Sequence, residues 1–245
     1  MEELEDLVAA NRILVSFGVI DAYGHVSVRS PRDPGRYYLA LSLAPERVQL
    51  EDLIEYDLDS RPIDGSGPKF PWESVRERFI HGEIYKTRPD VIAVVHNHSP
   101  SVVPFGVTDV PMRPIFHMAA FIGDGLPVFE IRDFEKSTDL LVKTPFLGNA
   151  LAKTLGAKPA ALMRGHGATV VGENLPRAVG RSVYLELSAK LQTQAMLLAG
   201  PGGRITYLDE GEVKASNPVQ DYKRAWPMWR EKALAQARAE RAQAT

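Results

Sequence analysis

Two histidines two residues apart, His96 and His98, follow the apolar, β-branched run Ile92-Ala93-Val94-Val95. A run of this kind makes a buried strand, in which alternate residues point the same way. Both imidazoles are therefore expected to project from one face, with Cβ atoms roughly 6 to 7 Å apart. That spacing lets both ring nitrogens reach one metal ion at about 2.0 to 2.2 Å. A third imidazole is available at His166, in Arg164-Gly165-His166-Gly167, where the flanking glycines let the backbone turn tightly and approach whatever the histidine touches. Upstream, Glu77 and His81 lie one helical turn apart on a segment that ends near Arg88-Pro89-Asp90, so both can face a cleft from one helix. Three histidines and a carboxylate suit a catalytic divalent metal. Glu83 is equally acidic, but nothing in its spacing separates it from a solvated helix face.

Hydrophobic periodicity places the elements around these groups. Residues 2 to about 18 carry Leu4, Leu7, Val8, Ile13, Leu14 and Phe17 at helical spacing and break at Gly18, which predicts an amphipathic helix. Tyr23-Gly24-His25-Val26-Ser27-Val28-Arg29 then reads as a glycine turn entering an alternating strand, with His25 at the turn. Residues 37–41 and 54–58 continue an antiparallel meander, and Asp64-Gly65-Ser66-Gly67-Pro68 is a turn before the helix of Glu77. Past the histidine pair, 101–107 is a short helix or irregular stretch, 128–130 a strand, and Thr138 to Leu155 a helical stretch with Pro145 near a break. Residues 160–164 form a buried strand feeding the Gly-His-Gly turn, 168–172 the strand leaving it, and 175–198 a long helix. With no internal repeat or linker, residues 1–245 are expected to be a single domain with a helical tail from about Asp221. Trp226 and Trp229, at i, i+3 in that tail, suit either a partly frayed surface helix or an arm packing on a neighbouring subunit.

Composition narrows the partners. A formal net charge of −2 gives no basic field to hold nucleic acid or an anionic membrane, so neither is expected. The absence of cysteine removes disulfides and thiolate ligands, leaving His, Asp and Glu as the strong metal ligands and fitting a reducing compartment. The acidic start Met1-Glu2-Glu3-Leu4-Glu5-Asp6 is unlike a signal peptide, and no apolar run reaches the ~18 residues of a membrane span, so a cytoplasmic location is expected.

Gly24-His25-Val26-Ser27, Glu77 with His81, His96-Asn97-His98 and Gly165-His166-Gly167 fall in the order and approximate spacing of the class II aldolase and adducin family. The chain resembles that family over roughly residues 5 to 210. The resemblance implies an α/β fold, a three-layer α/β/α domain with a mostly antiparallel central sheet, assembled as a homotetramer with active sites at subunit junctions. It also implies that His96, His98 and His166 are the ligands of one divalent ion per subunit, and that Glu77 is an acid/base group or an exchangeable fourth ligand. Three imidazoles suit zinc; manganese, iron and cobalt fit when substrate oxygens and a carboxylate complete the shell.

Departures from the sugar-phosphate members bear on substrate. Those enzymes usually have Gly-Asn-x-Ser where this chain has Gly24-His25-Val26-Ser27, a Ser-Gly phosphate loop where it has Ser42-Leu43-Ala44-Pro45, and a Ser-Ser pair where Arg76 precedes Glu77. Without small hydroxyl residues and a nest of backbone N–H groups, a phosphate dianion has no seat. Arg76, Arg78 and Arg164 can instead clamp carboxylates, and His25, Phe116, His117 and Phe121 can line a flat pocket. The pattern is similar to the branch that decarboxylates hydroxylated aromatic or pyridine dicarboxylates, as in aromatic compound degradation. That resemblance implies a metal-dependent, non-oxidative carboxy-lyase with an aromatic carboxylate substrate, in which Glu77 or His25 protonates the ring carbon and Arg164, Arg76 and His117 bind substrate. Three alternatives stay open: an aldolase or epimerase on a non-phosphorylated hydroxy-carbonyl substrate, a non-haem iron oxygenase, and an adducin-like binding module without catalysis.

Overall fold

Alternation along the strands divides the apolar residues between the two faces of one sheet. The computed structural model describes residues 2–63, 73–217 and 221–244; the turn expected at Asp64 to Pro68 lies outside them. The strands are β1 (His25–Arg29), β2 (Arg36–Ala40), β3 (Leu53–Asp57), β4 (Ala93–Asn97), β5 (Val128–Phe129), β6 (Ala160–Met163) and β7 (Gly167–Gly172). They join in the order β3-β2-β1-β4-β7-β6-β5, antiparallel throughout except where β5 lies beside β6. Val26 and Val28 of β1, Ala93 and Val95 of β4, and Ala168 and Val170 of β7 share one core with α1 (Glu2–Ser16), α5 (Leu175–Ala199) and α7 (Ala225–Ala244). Residues one step along, including Val94 and Val171, join Tyr37, Leu39, Ile54 and Tyr56 in a second core with α2 (Arg78–Thr87) and α4 (Pro145–Leu155). A period of two thus produces the expected three layers with a mostly antiparallel sheet.

Local chemistry sets the helix ends. Thr144 accepts from the Leu147 N–H and Asn174 from the Arg177 N–H, each with a proline in the first turn of α4 and α5. The single turn α3 (Val103–Gly106) occupies the stretch expected to be short or irregular. An additional helix, α6 (Glu210–Ser216), starts from a capping box in which Asp209 and Glu212 each accept the other's backbone N–H.

Three expectations change. Residues 138–144 are not helical: Leu140 has φ +69°, Thr144, the residue before proline, is extended, and α4 starts at Pro145. The tail helix α7 neither frays nor reaches away, because Trp226, Ala233, Leu234 and Ala237 are buried in the first core and α7 packs on α1 of its own chain. Trp229 meets Phe17 edge to face, and Arg230 pairs with Asp6 and Glu5. Glu83 is buried against α4 and ion-paired to Lys86 at 2.6 Å, not solvated.

Candidate active site

The register of β1, β4 and β7 gathers the histidines at one end of the sheet. His25 opens β1 directly opposite His96 near the end of β4, and Asn97 is opposite Ala168 at the start of β7. His96 shares a face with Val94, so it points to the α2 side, as do His25 and Ser27 of β1. His98 lies just past β4, and His166 in the turn between β6 and β7. That turn needs both its glycines. Gly165 has φ +65°, and a Cβ at Gly167 would overlap the Asn97 carbonyl.

Among the described residues one group, Glu77, His96, His98 and His166, offers donor atoms that all lie within 4.8 Å of one another. His98 Nε2 is 3.3 Å from His96 Nε2 and 3.0 Å from His166 Nε2, while Glu77 Oε2 is 3.4 Å from the first and 3.6 Å from the second of those partners. A tetrahedral ion with bonds of about 2.1 Å would space its donors about 3.4 Å apart, so the residues fit a divalent cation. Glu77 immediately precedes α2, and its other oxygen accepts the Val142 N–H at 2.8 Å. His166 Nδ1 donates to the Leu140 carbonyl at 2.9 Å, leaving Nε2 with its lone pair toward the cluster. Leu140 is held at φ +69°, a costly angle for a branched residue, so the non-helical 138–144 segment serves the site twice. His96 Nδ1 has no hydrogen-bond partner; its ring is fixed by packing between those of His25 and His166, 4.9 and 4.8 Å away.

Electrostatics keep these groups in ligand form. Burial, then His96, lowers His98, and the same causes in the same order pull His166 down to about 4, so both are unprotonated near neutral pH. Burial pushes Glu77 up, but His96, His166 and the Val142 N–H together outweigh it and hold the carboxyl at about 2. Glu77 as a carboxylate beside the unprotonated rings of His98 and His166 makes a donor set for a cation.

His25 is in a different arrangement. Its Nδ1 is 2.7 Å from His81 Nε2, His81 Nδ1 is 2.6 Å from Ser27 Oγ, and Ser27 Oγ is 2.8 Å from the Tyr85 hydroxyl. Burial, followed by His81, lowers His25 well below the ordinary histidine value. His81 is fully buried behind His25 and does not reach the cleft as expected, because one turn along α2 from Glu77 it points under β1. Ser27 and Tyr85 carried a signal that spacing alone left unread: each stands one repeat from a histidine, on β1 and α2 respectively. No comparable signal marks Leu140 or Val142, which contribute only main-chain atoms.

A cleft of about 550 Å³ opens onto these groups, lined by His25, Glu77 and His98, by Arg76, and by the Ser42 to Pro45 loop. Two of the three amide N–H groups of that loop are already engaged. The Ser42 N–H donates to the Glu73 carbonyl at 2.7 Å, the Leu43 N–H to the Leu41 carbonyl at 2.8 Å, and Pro45 has none. Arg76 is exposed in this cleft. The other expected substrate contacts lie elsewhere. Arg164 Nε donates to both oxygens of Glu130, at 3.1 and 2.8 Å, and Arg78 is engaged by the carbonyls of Ser60 and Val75. His117 is exposed at the start of a 3-10 turn whose later residues, Phe121 among them, are buried, and Phe116 packs on the first core; none of the three lines the cleft.

Residues 5–193 match the class II aldolase and adducin N-terminal domain. The chain belongs to the class II aldolase and adducin family. It is 36% identical over 239 residues to the decarboxylase tropJ of Talaromyces stipitatus, covering 89% of this chain and 88% of that protein. It is 27% identical over 215 residues to a 3,4-dihydroxyphthalate decarboxylase of Arthrobacter keyseri, covering 85% and 84%. In fold it matches the L-fuculose 1-phosphate aldolase of Glaciozyma antarctica at a TM-score of 0.75, with 22% identity, over 99% of this chain and 90% of that one. Kinship over most of its length with named decarboxylases, within a family of aldolases, makes this family member an enzyme of the lyase class and displaces the non-catalytic module.

Proposed function

We propose that the chain is a divalent-metal-dependent, oxygen-independent decarboxylase of an ortho-hydroxylated aromatic or heteroaromatic carboxylate or dicarboxylate. The observation that carries this reading is the cleft itself: an ion-binding cluster and a neutral histidine beside a loop in which the Ser42 and Leu43 amides are already engaged, with Arg76 as its exposed cation. Without a full nest of open amides the loop favours a carboxylate over a phosphate dianion, and Arg76 can grip both oxygens of that carboxylate. The relatives named decarboxylases support the same choice.

His96, His98 and His166 would hold the ion, with Glu77 beside them as an exchangeable fourth ligand. When bound, it supplies Lewis acidity toward a chelating hydroxyl and carboxylate, favouring the keto form that accepts the electrons left by departing CO₂. Ionised Glu77 and neutral His25 are the cleft groups able to take the hydroxyl proton and return it to the ring carbon as the carbon–carboxyl bond breaks. The product oxygen recovers a proton from solvent on release, and no oxidant enters the balance. The family resemblance supports a homotetramer, and the composition a cytoplasmic location; light scattering tests the assembly, with a fully active monomer excluding it.

The deciding experiment is release of CO₂ under anaerobic conditions by metal-reconstituted protein, across a panel of ortho-hydroxy aromatic and pyridine carboxylates. Turnover that depends on added metal and on the ortho hydroxyl is expected. Efficient cleavage of a phosphorylated ketose, with no CO₂ from any acid in the panel, would overturn the assignment.

A further inference from the structure

His25 and Ser27 are two apart on β1, and His81 and Tyr85 are four apart on α2. Both repeats span roughly 6 to 7 Å, so the two pairs interleave into one line of polar groups. The line begins at the Ile92 carbonyl, 3.3 Å from the Tyr85 hydroxyl, and ends at His25 in the cleft. Ser27 and His81 are wholly buried and Tyr85 nearly so.

The direction of the hydrogen bonds follows from counting protons. A carbonyl can only accept, and that of Ile92, which takes the Arg29 N–H at 2.7 Å, has a second lone pair for Tyr85. If Tyr85 donates there, Ser27 donates to the Tyr85 oxygen, His81 Nδ1 donates to Ser27, and His81 Nε2 is left to accept from His25 Nδ1. All four contacts are then hydrogen bonds. Run the other way, Tyr85 donates to Ser27, Ser27 to His81 and His81 to His25, and the bond to Ile92 is lost. Buried polar groups favour the arrangement that satisfies more of them. Burial raises the Tyr85 phenol, and burial ahead of His96 pulls His81 down to about 3, so the line stays neutral in either direction.

We propose that His81, Ser27 and Tyr85 are positioning residues that fix His25 as the tautomer protonated on Nδ1, leaving Nε2 as its unprotonated nitrogen for the substrate. The inference rests on the decarboxylase reading for the use made of that nitrogen: a base formed in advance for the substrate hydroxyl. The tautomer itself can be read without any substrate.

With six histidines in the chain, ¹⁵N-histidine labelling of zinc-reconstituted protein gives a spectrum small enough to assign with single variants. His25 is expected to show its proton on Nδ1. In His81→Phe that preference should be lost while bound zinc is unchanged, and kcat should fall roughly 10²-fold with little change in KM. His81→Gln, whose carboxamide oxygen can accept the Nδ1 proton, should restore both the tautomer and most of the rate. Tyr85→Phe removes one neutral hydrogen bond at the far end and should cost roughly 3- to 10-fold in kcat. If His81→Phe does not fold, Tyr85→Phe and Ser27→Ala decide by the same spectrum. His25 protonated on Nε2 in the unmodified protein, or a tautomer unmoved in every folded variant, would overturn the proposal. The expected tautomer together with no CO₂ from any acid would instead locate the failure in the reaction assigned.

Discussion

Five of the six histidines collect at one end of the sheet, yet they form two arrangements of opposite character. Around His98, ring nitrogens from the end of β4 and from the β6–β7 turn converge within 3.0 to 3.3 Å. One proton cannot satisfy both of those contacts, and the adjacent Glu77 carboxylate adds another acceptor. Between His25 and His81, nitrogens meet in series, and each proton has one donor and one acceptor. The difference arises behind the rings. The Leu140 carbonyl turns His166 Nε2 forward, whereas Ser27 and Tyr85 carry the His81 contacts away into the protein. Convergent lone pairs call for a cation at their centre; a serial arrangement needs none and instead fixes which way each ring is protonated.

The sharpest way to break this distinction is to remove the convergent rings. Reconstituted protein is expected to hold about one divalent ion per chain, and His96→Ala/His98→Ala to hold almost none, since the two remaining ligands bind a metal weakly. CO₂ release should fall to background. His25→Asn, by contrast, should keep its metal and lose turnover by roughly 10²- to 10⁴-fold. Elemental analysis of the purified variants checks both. Full occupancy in the double variant would remove the metal assignment, and loss of metal from His25→Asn would merge the two arrangements into one.

Glu77 stands at the boundary between them, and its substitution sharpens the comparison. Glu77→Gln keeps an oxygen for the Val142 N–H and removes the charge beside His96 and His166. The three imidazoles should retain the ion, while turnover drops by roughly 10²-fold or more if the carboxylate moves the proton. Parallel loss of metal and rate would make Glu77 a ligand first.

Much of this was legible in the sequence, for identifiable reasons. His-x-His after an apolar run and a histidine between glycines are positions where side-chain type and backbone need coincide, so spacing alone brought them near one another. The alternation that makes two cores is likewise a period-two signal in β1, β4 and β7. Less was legible where main-chain atoms do the work: the Val142 N–H and the Leu140 carbonyl belong to a segment whose composition reads as helix, and only the proline that follows hints otherwise. Long-range pairing was also hidden. Nothing near Arg164 in sequence announces that Glu130, on the neighbouring segment after β5, occupies its guanidinium, nor does the tail announce that Trp226 closes a core begun by α1.

The smallest expected effect separates the two arginines and tests whether the cleft, rather than the turn that carries His166, anchors the substrate. Arg76 is exposed among the cleft residues, next to Glu77 in sequence. Its loss should remove a charge-assisted pair with a substrate carboxylate, and partial solvation discounts that to a roughly 10-fold rise in KM with kcat largely kept. Arg164 is closer to His166 in sequence, but its Nε is committed to Glu130, which also pairs with Arg132 at 2.6 Å. Arg164→Ala should therefore change KM by less than about 3-fold, because it removes no contact made to substrate. Initial-rate measurements on the acid that gives the highest turnover distinguish the two. If Arg164→Ala raises KM and Arg76→Ala does not, the substrate carboxylate lies on the His166 side, and Glu130 must release Arg164 when substrate binds.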